Sequence, residues 1–125
     1  MDSKKLALLC RDLADNKKAD DIVVLDVRKV SSITDYFVIA SGGSEPQVRA
    51  IVNEITGKLR DEYDLRPRME GGIQTPWQVI DYFDVIVHVM RTDIREKYDL
   101  ESLWGDAKPL KPVKAAKAPA KKKSR

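Results

Sequence analysis

A chain of 125 residues amounts to about one domain, enough to bury a single core. It has no run of roughly 18 apolar residues, which excludes a transmembrane helix, and its one cysteine, Cys10, excludes an internal disulfide. The net charge of +3 is divided: residues 108–125 carry seven Lys, one Arg and no acid, whereas residues 1–107 hold 15 basic and 20 acidic side chains.

That division makes the first 107 residues mildly acidic and the tail strongly basic, which suggests two different contact surfaces. The lone cysteine fits a reducing compartment. The apolar stretch Leu6–Cys10 is broken at once by Arg11, so no secretory signal is expected and the protein is placed in the cytoplasm.

In chain order, Leu6, Leu9, Cys10 and Leu13 recur at the spacing of one apolar helical stripe, which predicts a helix over 3–15. The β-branched run Ile22–Val27 predicts a strand. Ser31-Ser32 marks a turn, and Tyr36–Ala40 is a second strand. Ser41-Gly42-Gly43-Ser44 then breaks the sheet. Ser44 and Gln47 stand three apart as a capping box, with Pro46 in the first turn, where its missing N–H does no harm. The helix that follows has Val48, Ile51, Val52, Ile55 and Leu59 on one face.

Arg66-Pro67-Arg68-Met69 reads as a short edge strand, because Pro67 cannot donate to a ladder, and Glu70-Gly71-Gly72 reads as a loop. Trp77–Asp81 and Asp84–Met90 are two strands whose link at Tyr82-Phe83 is too short for anything but an antiparallel hairpin. In the second, Val85, Val87 and Val89 alternate with Ile86 and Met90, as in a strand covered on both faces. A short helix around 95–103 is expected to end at Trp104-Gly105. The Lys/Ala/Pro tail, 108–125, has too little apolar surface to offset its ordering entropy and is expected to be disordered. The order of elements points to one α/β domain over 1–107, a small mixed sheet with flanking helices.

Several residues invite an active-site reading. Gly42-Gly43-Ser44 lies where a helix N-terminus can hold a phosphate, but its spacing fits neither the P-loop nor the dinucleotide fingerprint. A strand-to-helix turn with a serine cap accounts for it. A glycine-serine turn also occurs in nucleotidyltransferases, which need two carboxylates two residues apart on the next strand to hold magnesium. No such pair follows Ser44, and Asp81 and Asp84 are three apart across a turn.

His88 and Cys10 are the only residues of their kinds. A zinc site would need carboxylates for its other ligands, an uncommon set. His88 therefore reads as a half-buried structural histidine bonded to a carboxylate or carbonyl, and Cys10, on an apolar stripe, as packing. No catalytic residue, metal or cofactor is expected. Trp77, Tyr82, Tyr98 and Trp104 suit either a core or a binding centre, since Trp and Tyr give large contact area with few rotors to freeze.

The segments Asp21-Ile22, Leu25-Asp26-Val27, Ser31–Gly42 and Gln47-Val48 stand in a telling order. Glu70-Gly71, Trp77, Asp81-Tyr82 and Asp84–Val89 continue it, and Arg95, Tyr98, Leu100-Glu101, Leu103-Trp104 and Asp106-Ala107 complete it. In order and spacing, over about Leu6 to Ala107, they resemble the ribosomal silencing factors, the RsfS or Iojap-like family. The resemblance implies a nucleotidyltransferase-like α/β fold without catalytic carboxylates. It also implies docking on the fourteenth protein of the large ribosomal subunit, where the factor blocks joining with the small subunit and lowers translation when nutrients are short. Homodimers are known in the family.

On that footing Trp77 is the expected anchor, with Glu70 and Asp81 facing a basic partner and Tyr82 and Tyr98 beside them. Lys111, Lys114, Lys117, Lys121, Lys122 and Lys123 of the tail would touch ribosomal RNA non-specifically; a solubilising extension is the plainer reading of the same residues. Two departures stand out: Phe83 where the family usually has Gly, and Pro76 immediately before Trp77. A divergent nucleotidyltransferase and a tail-driven RNA-binding protein are the alternatives.

Overall fold

The computed structural model describes residues 1–70, 76–98 and 108–109. The elements run α1 (Ser3–Asn16), β1 (Asp20–Asp26), β2 (Tyr36–Gly42), α2 (Glu45–Tyr63), β3 (Arg68–Glu70), β4 (Trp77–Asp81), β5 (Val85–Arg91), α3 (Thr92–Tyr98) and β6 (Lys108–Pro109). They form one mixed sheet in the order β3-β4-β5-β2-β1-β6. Among the described strands only β2 and β5 pair in parallel, and a parallel pair needs a long crossover, which α2, β3 and β4 supply.

Both long helices start on side-chain caps. The Asp2 carboxylate accepts the Lys5 N–H at 2.8 Å, and the Ser44 hydroxyl accepts the Gln47 N–H at 3.3 Å. The reciprocal half of the expected capping box is displaced by one residue: Gln47 Oε1 accepts from Gly43 N–H at 2.8 Å, not from Ser44. Its amide nitrogen donates to the Lys18 carbonyl at 2.9 Å, tying the start of α2 to the α1–β1 turn. Gly42 fits closely here: a Cβ would lie 3.2 Å from the Gln47 side chain and 3.3 Å from the Val48 nitrogen, so α2's first turn would have to shift to admit one. At the far end Asp64 takes the left-handed conformation, φ 56°, and Leu65 N–H reaches back to the Leu59 carbonyl, a Schellman-type stop.

The helices α1 and α2 cover one face of the sheet. Leu6, Ala7, Cys10 and Leu13 of α1 and Val48, Ile51, Val52, Ile55 and Leu59 of α2 pack there on Val24, Tyr36, Val38, Ile80, Val85, Val87 and Val89. The opposite face gathers Leu25, Val27, Phe37, Ile39 and Met90, with Val23, Trp77, Ile86 and α3's Ile94 partly buried around them. The strand β5 is thus covered on both sides, as its composition implies.

Four expectations are corrected. The sheet does not break at Ser41: β2 runs through Gly42, because both residues pair with β5. Glu70 ends β3 opposite Val79 instead of opening a loop. The last helix begins at Thr92, whose hydroxyl donates to the Gly42 carbonyl at 3.2 Å, and its expected end at Trp104 lies outside the described residues. Finally, Lys108 and Pro109, expected in the disordered tail, pair with Asp26 and Leu25 as β6. The rest of the tail lies outside the described residues.

Candidate docking surface around Trp77

Side chains alternate along a strand, and in β4 this sorts five residues cleanly. Gln78 and Ile80 are buried on the helix side, whereas Trp77, Val79 and Asp81 are half-buried on the opposite side. Glu70 stands directly across from Val79, and Arg68 across from Asp81. Opposed residues of an antiparallel pair share a face, so Glu70, Asp81 and Trp77 are brought onto one surface at the β3 edge of the sheet. Arg68 sits among them, a cation the sequence pattern gave no reason to place there. Asp81 is also used within the chain: its Oδ1 accepts the Phe83 N–H at 2.7 Å.

The indole of Trp77 packs against the edge of the Leu25–Phe37–Ile39–Met90 cluster. Its Nε1–H donates to Nδ1 of His88 at 3.0 Å, with ring centroids 5.9 Å apart. His88 in turn meets Phe37 edge to face at 5.3 Å. The histidine is therefore structural, but its partner is an indole and not the carboxylate or carbonyl expected. Burial pushes its pKa down to about 4, so the ring is neutral near pH 7. Because an indole only donates, Nδ1 must be the unprotonated nitrogen and Nε2 carries the proton.

Tyr82 does not join this surface. It is 8 % exposed and lies in the helix-side core, and burial raises its hydroxyl well above the usual phenol range. Tyr98 ends α3, but its side chain lies outside the described residues, as do Trp104 and the tail lysines Lys111, Lys114, Lys117, Lys121, Lys122 and Lys123. Cys10 is fully buried, its thiol pushed up to about 12, so it packs and does not react.

Residues to which the sequence assigned no docking role lie at the two ends of the sheet. Arg95, 8 % exposed, donates to Ser41 Oγ at 3.2 Å and to the Asp20 carbonyl at 3.4 Å, latching α3 to the ends of β1 and β2. At the other end, Val30, Ile33 and Phe83 are exposed apolar side chains. Asp35 and Tyr36 N–H groups both donate to the Asp84 carbonyl there, fixing the 27–35 loop to the hairpin turn. Phe83 itself has φ 75°, and Asp84 N–H closes onto the Tyr82 carbonyl at 2.9 Å. This is the three-residue γ-turn that strains a residue with a Cβ. The Gly–Ser turn at α2, by contrast, has its Gly43 N–H already taken by Gln47. Among the described residues no group of three His, Cys, Asp or Glu side chains stands close enough to hold a metal ion, and no helix is long and apolar enough to cross a membrane.

A family model described as "ribosomal silencing factor during starvation" matches residues 1–125. The ribosomal silencing factor RsfS of Halalkalibacterium halodurans is 41% identical over 107 residues, 86% of this chain and 92% of that protein. A more distant relative in mouse, named mitochondrial assembly of ribosomal large subunit protein 1, is 34% identical over 91 residues, 70% of this chain and 40% of that protein. Among solved structures, a crystal structure of a Chromobacterium violaceum protein superposes with a TM-score of 0.75 at 32% identity, covering 84% of this chain and 88% of the other.

Proposed function

The chain belongs to the ribosomal silencing factor family, and from that premise we propose that it works in the cytoplasm by docking on the large ribosomal subunit, at the subunit's fourteenth protein. Seated there it stands in the way of the small subunit and lowers translation when nutrients are short. This is binding chemistry, not catalysis. The name of the mouse relative, which concerns assembly of the large subunit, points to the same half of the ribosome.

One observation carries the residue-level part: Trp77, Glu70 and Asp81 share one face at the edge of the sheet. A half-buried indole on a rigid strand presents a large apolar area at little entropic cost. Carboxylates around it favour a lysine- and arginine-rich partner and set the approach. The acidic balance of residues 1–107 steers the domain in the same direction. Arg68, across from Asp81, is the counterweight, and it would reject a uniformly basic patch in favour of one with a single acceptor. The tail holds nearby ribosomal RNA and raises the local concentration of the domain, and a homodimer must open or leave this face free for docking.

The test is subunit joining followed by sedimentation at near-physiological salt. Purified protein should leave the subunits apart, and unchanged association overturns the reading. Deleting residues 108–125 should leave a weaker, less salt-sensitive complex; complete loss of binding would instead favour a general RNA-binding protein driven by the tail.

A further inference from the structure

The side chains around His88 are almost all apolar. Ile39 stands across from it on β2 and Val79 on β4, with Ile86 and Met90 on either side along its own row of β5. Packing alone would be served by another aliphatic residue in such a place. A polar ring there breaks the local pattern, and such breaks concentrate where a structure serves something besides stability. Among the described residues the ring's one hydrogen bond to a neighbouring side chain is the one from Trp77, and Phe37 meets it edge to face.

We propose that His88 is a positioning residue for docking: its Nδ1 holds the Trp77 indole in one orientation before the partner arrives. The inference rests on the docking reading above. A half-buried indole at the start of an edge-proximal strand keeps some rotamer freedom that it loses on binding, and the bond to His88 is one tether that restricts it. The tether removes the loss in advance, which is how preorganisation strengthens a complex without adding a contact to it. The arrangement also demands one tautomer, with the proton on Nε2. Among the described residues, β2 faces the ring with Phe37, Ile39 and Ser41, and α3's Arg95 donates to Ser41 and Asp20. Asp81 of β4 shares the face but caps Phe83. Burial keeps the ring uncharged near neutral pH, so the acceptor stays available.

The experiment pairs nuclear magnetic resonance with binding to purified large subunits. In the wild-type chain the His88 nitrogen shifts at pH 7 should report an unprotonated Nδ1, and the Trp77 indole signal (told from Trp104 by a Trp104→Phe variant) should exchange slowly with water. His88→Leu should free that signal and weaken docking about three- to tenfold in a protein that still melts cooperatively. His88→Asn, whose side-chain oxygen can reach the place of Nδ1, should recover most of both. A proton found on Nδ1 overturns the proposal without any variant, even if His88→Leu fails to fold. Wild-type docking by a folded His88→Leu protein overturns it too, provided Trp77→Ala docks poorly. Wild-type docking by Trp77→Ala removes Trp77 from the docking surface, and the positioning role with it, while leaving the subunit-joining test to decide docking itself.

Discussion

On the helix-covered face of the sheet, Val38, Val85, Val87 and Val89 meet Ile51, Ile55 and Leu59 with essentially nothing left in contact with water. On the opposite face the same strands offer Phe37, Ile39 and Met90, equally buried, but the cluster is edged by Trp77, His88 and Ile86, each half-buried. The first face is closed by two long helices; the second has α3 latched across one end by Arg95. A closed aliphatic face can only store stability. A face whose border is aromatic, partly exposed and held by a hydrogen bond can also be recognised, and the proposed docking uses the second.

The comparison breaks first if the two faces respond alike to truncation. Ile55→Ala, at a site with no exposure, should cost about 2–5 kcal/mol in a denaturant titration and lower docking only through loss of folded protein. Acid should act on the opposite face. The His88 pKa of about 4 lies below its ordinary 6.5, so between those values the unfolded chain binds the proton and the folded chain does not. Stability therefore rises with pH across that window: it is complete above about 6.5 and lost as pH falls toward 4, by about 3 kcal/mol in all. His88→Leu should flatten this part of the stability profile; an unchanged slope would assign the acid sensitivity elsewhere. Trp77→Ala sharpens the contrast from the functional side, weakening large-subunit binding by about 2 kcal/mol. Circular dichroism should meanwhile show the folded state intact.

The helix-covered face was legible in the sequence almost residue by residue. Val48, Ile51, Val52, Ile55 and Leu59 repeat at helical spacing, and a repeat can be seen without knowing what it packs against. The opposite face depends on register between strands distant in sequence. Nothing in the order of residues shows that Glu70 lies across from Val79 and Arg68 across from Asp81, or that the indole of Trp77 reaches Nδ1 of a histidine eleven positions on. Tyr82, which suited either a core or a binding centre, was undecided for a related reason: it follows the last residue of a strand, and whether such a side chain turns inward is decided by the turn, not by alternation. Lys108 and Pro109 sit in a stretch whose composition reads as unstructured, yet two residues suffice to pair with β1.

That turn supplies the smallest effect and the one that tests how the two faces are held in register. Phe83 is 64% exposed with φ 75°, so its side chain buries little while its backbone occupies a region that favours glycine. Such strain costs on the order of 1–3 kcal/mol. Glycine would remove it but would add about 0.5–1 kcal/mol of unfolded-state entropy to be lost on folding. Phe83→Gly should therefore stabilise the protein by about 1 kcal/mol, seen as a higher urea midpoint at unchanged slope. Because the turn joins β4 to β5, and so Trp77 to His88, a gain in stability with unaltered docking would show that the hairpin's register was already fixed by its ladder. A loss of docking in the more stable variant would mean that the exposed ring of Phe83 belongs to the recognised surface, extending it from Trp77 to the end that also carries Val30 and Ile33.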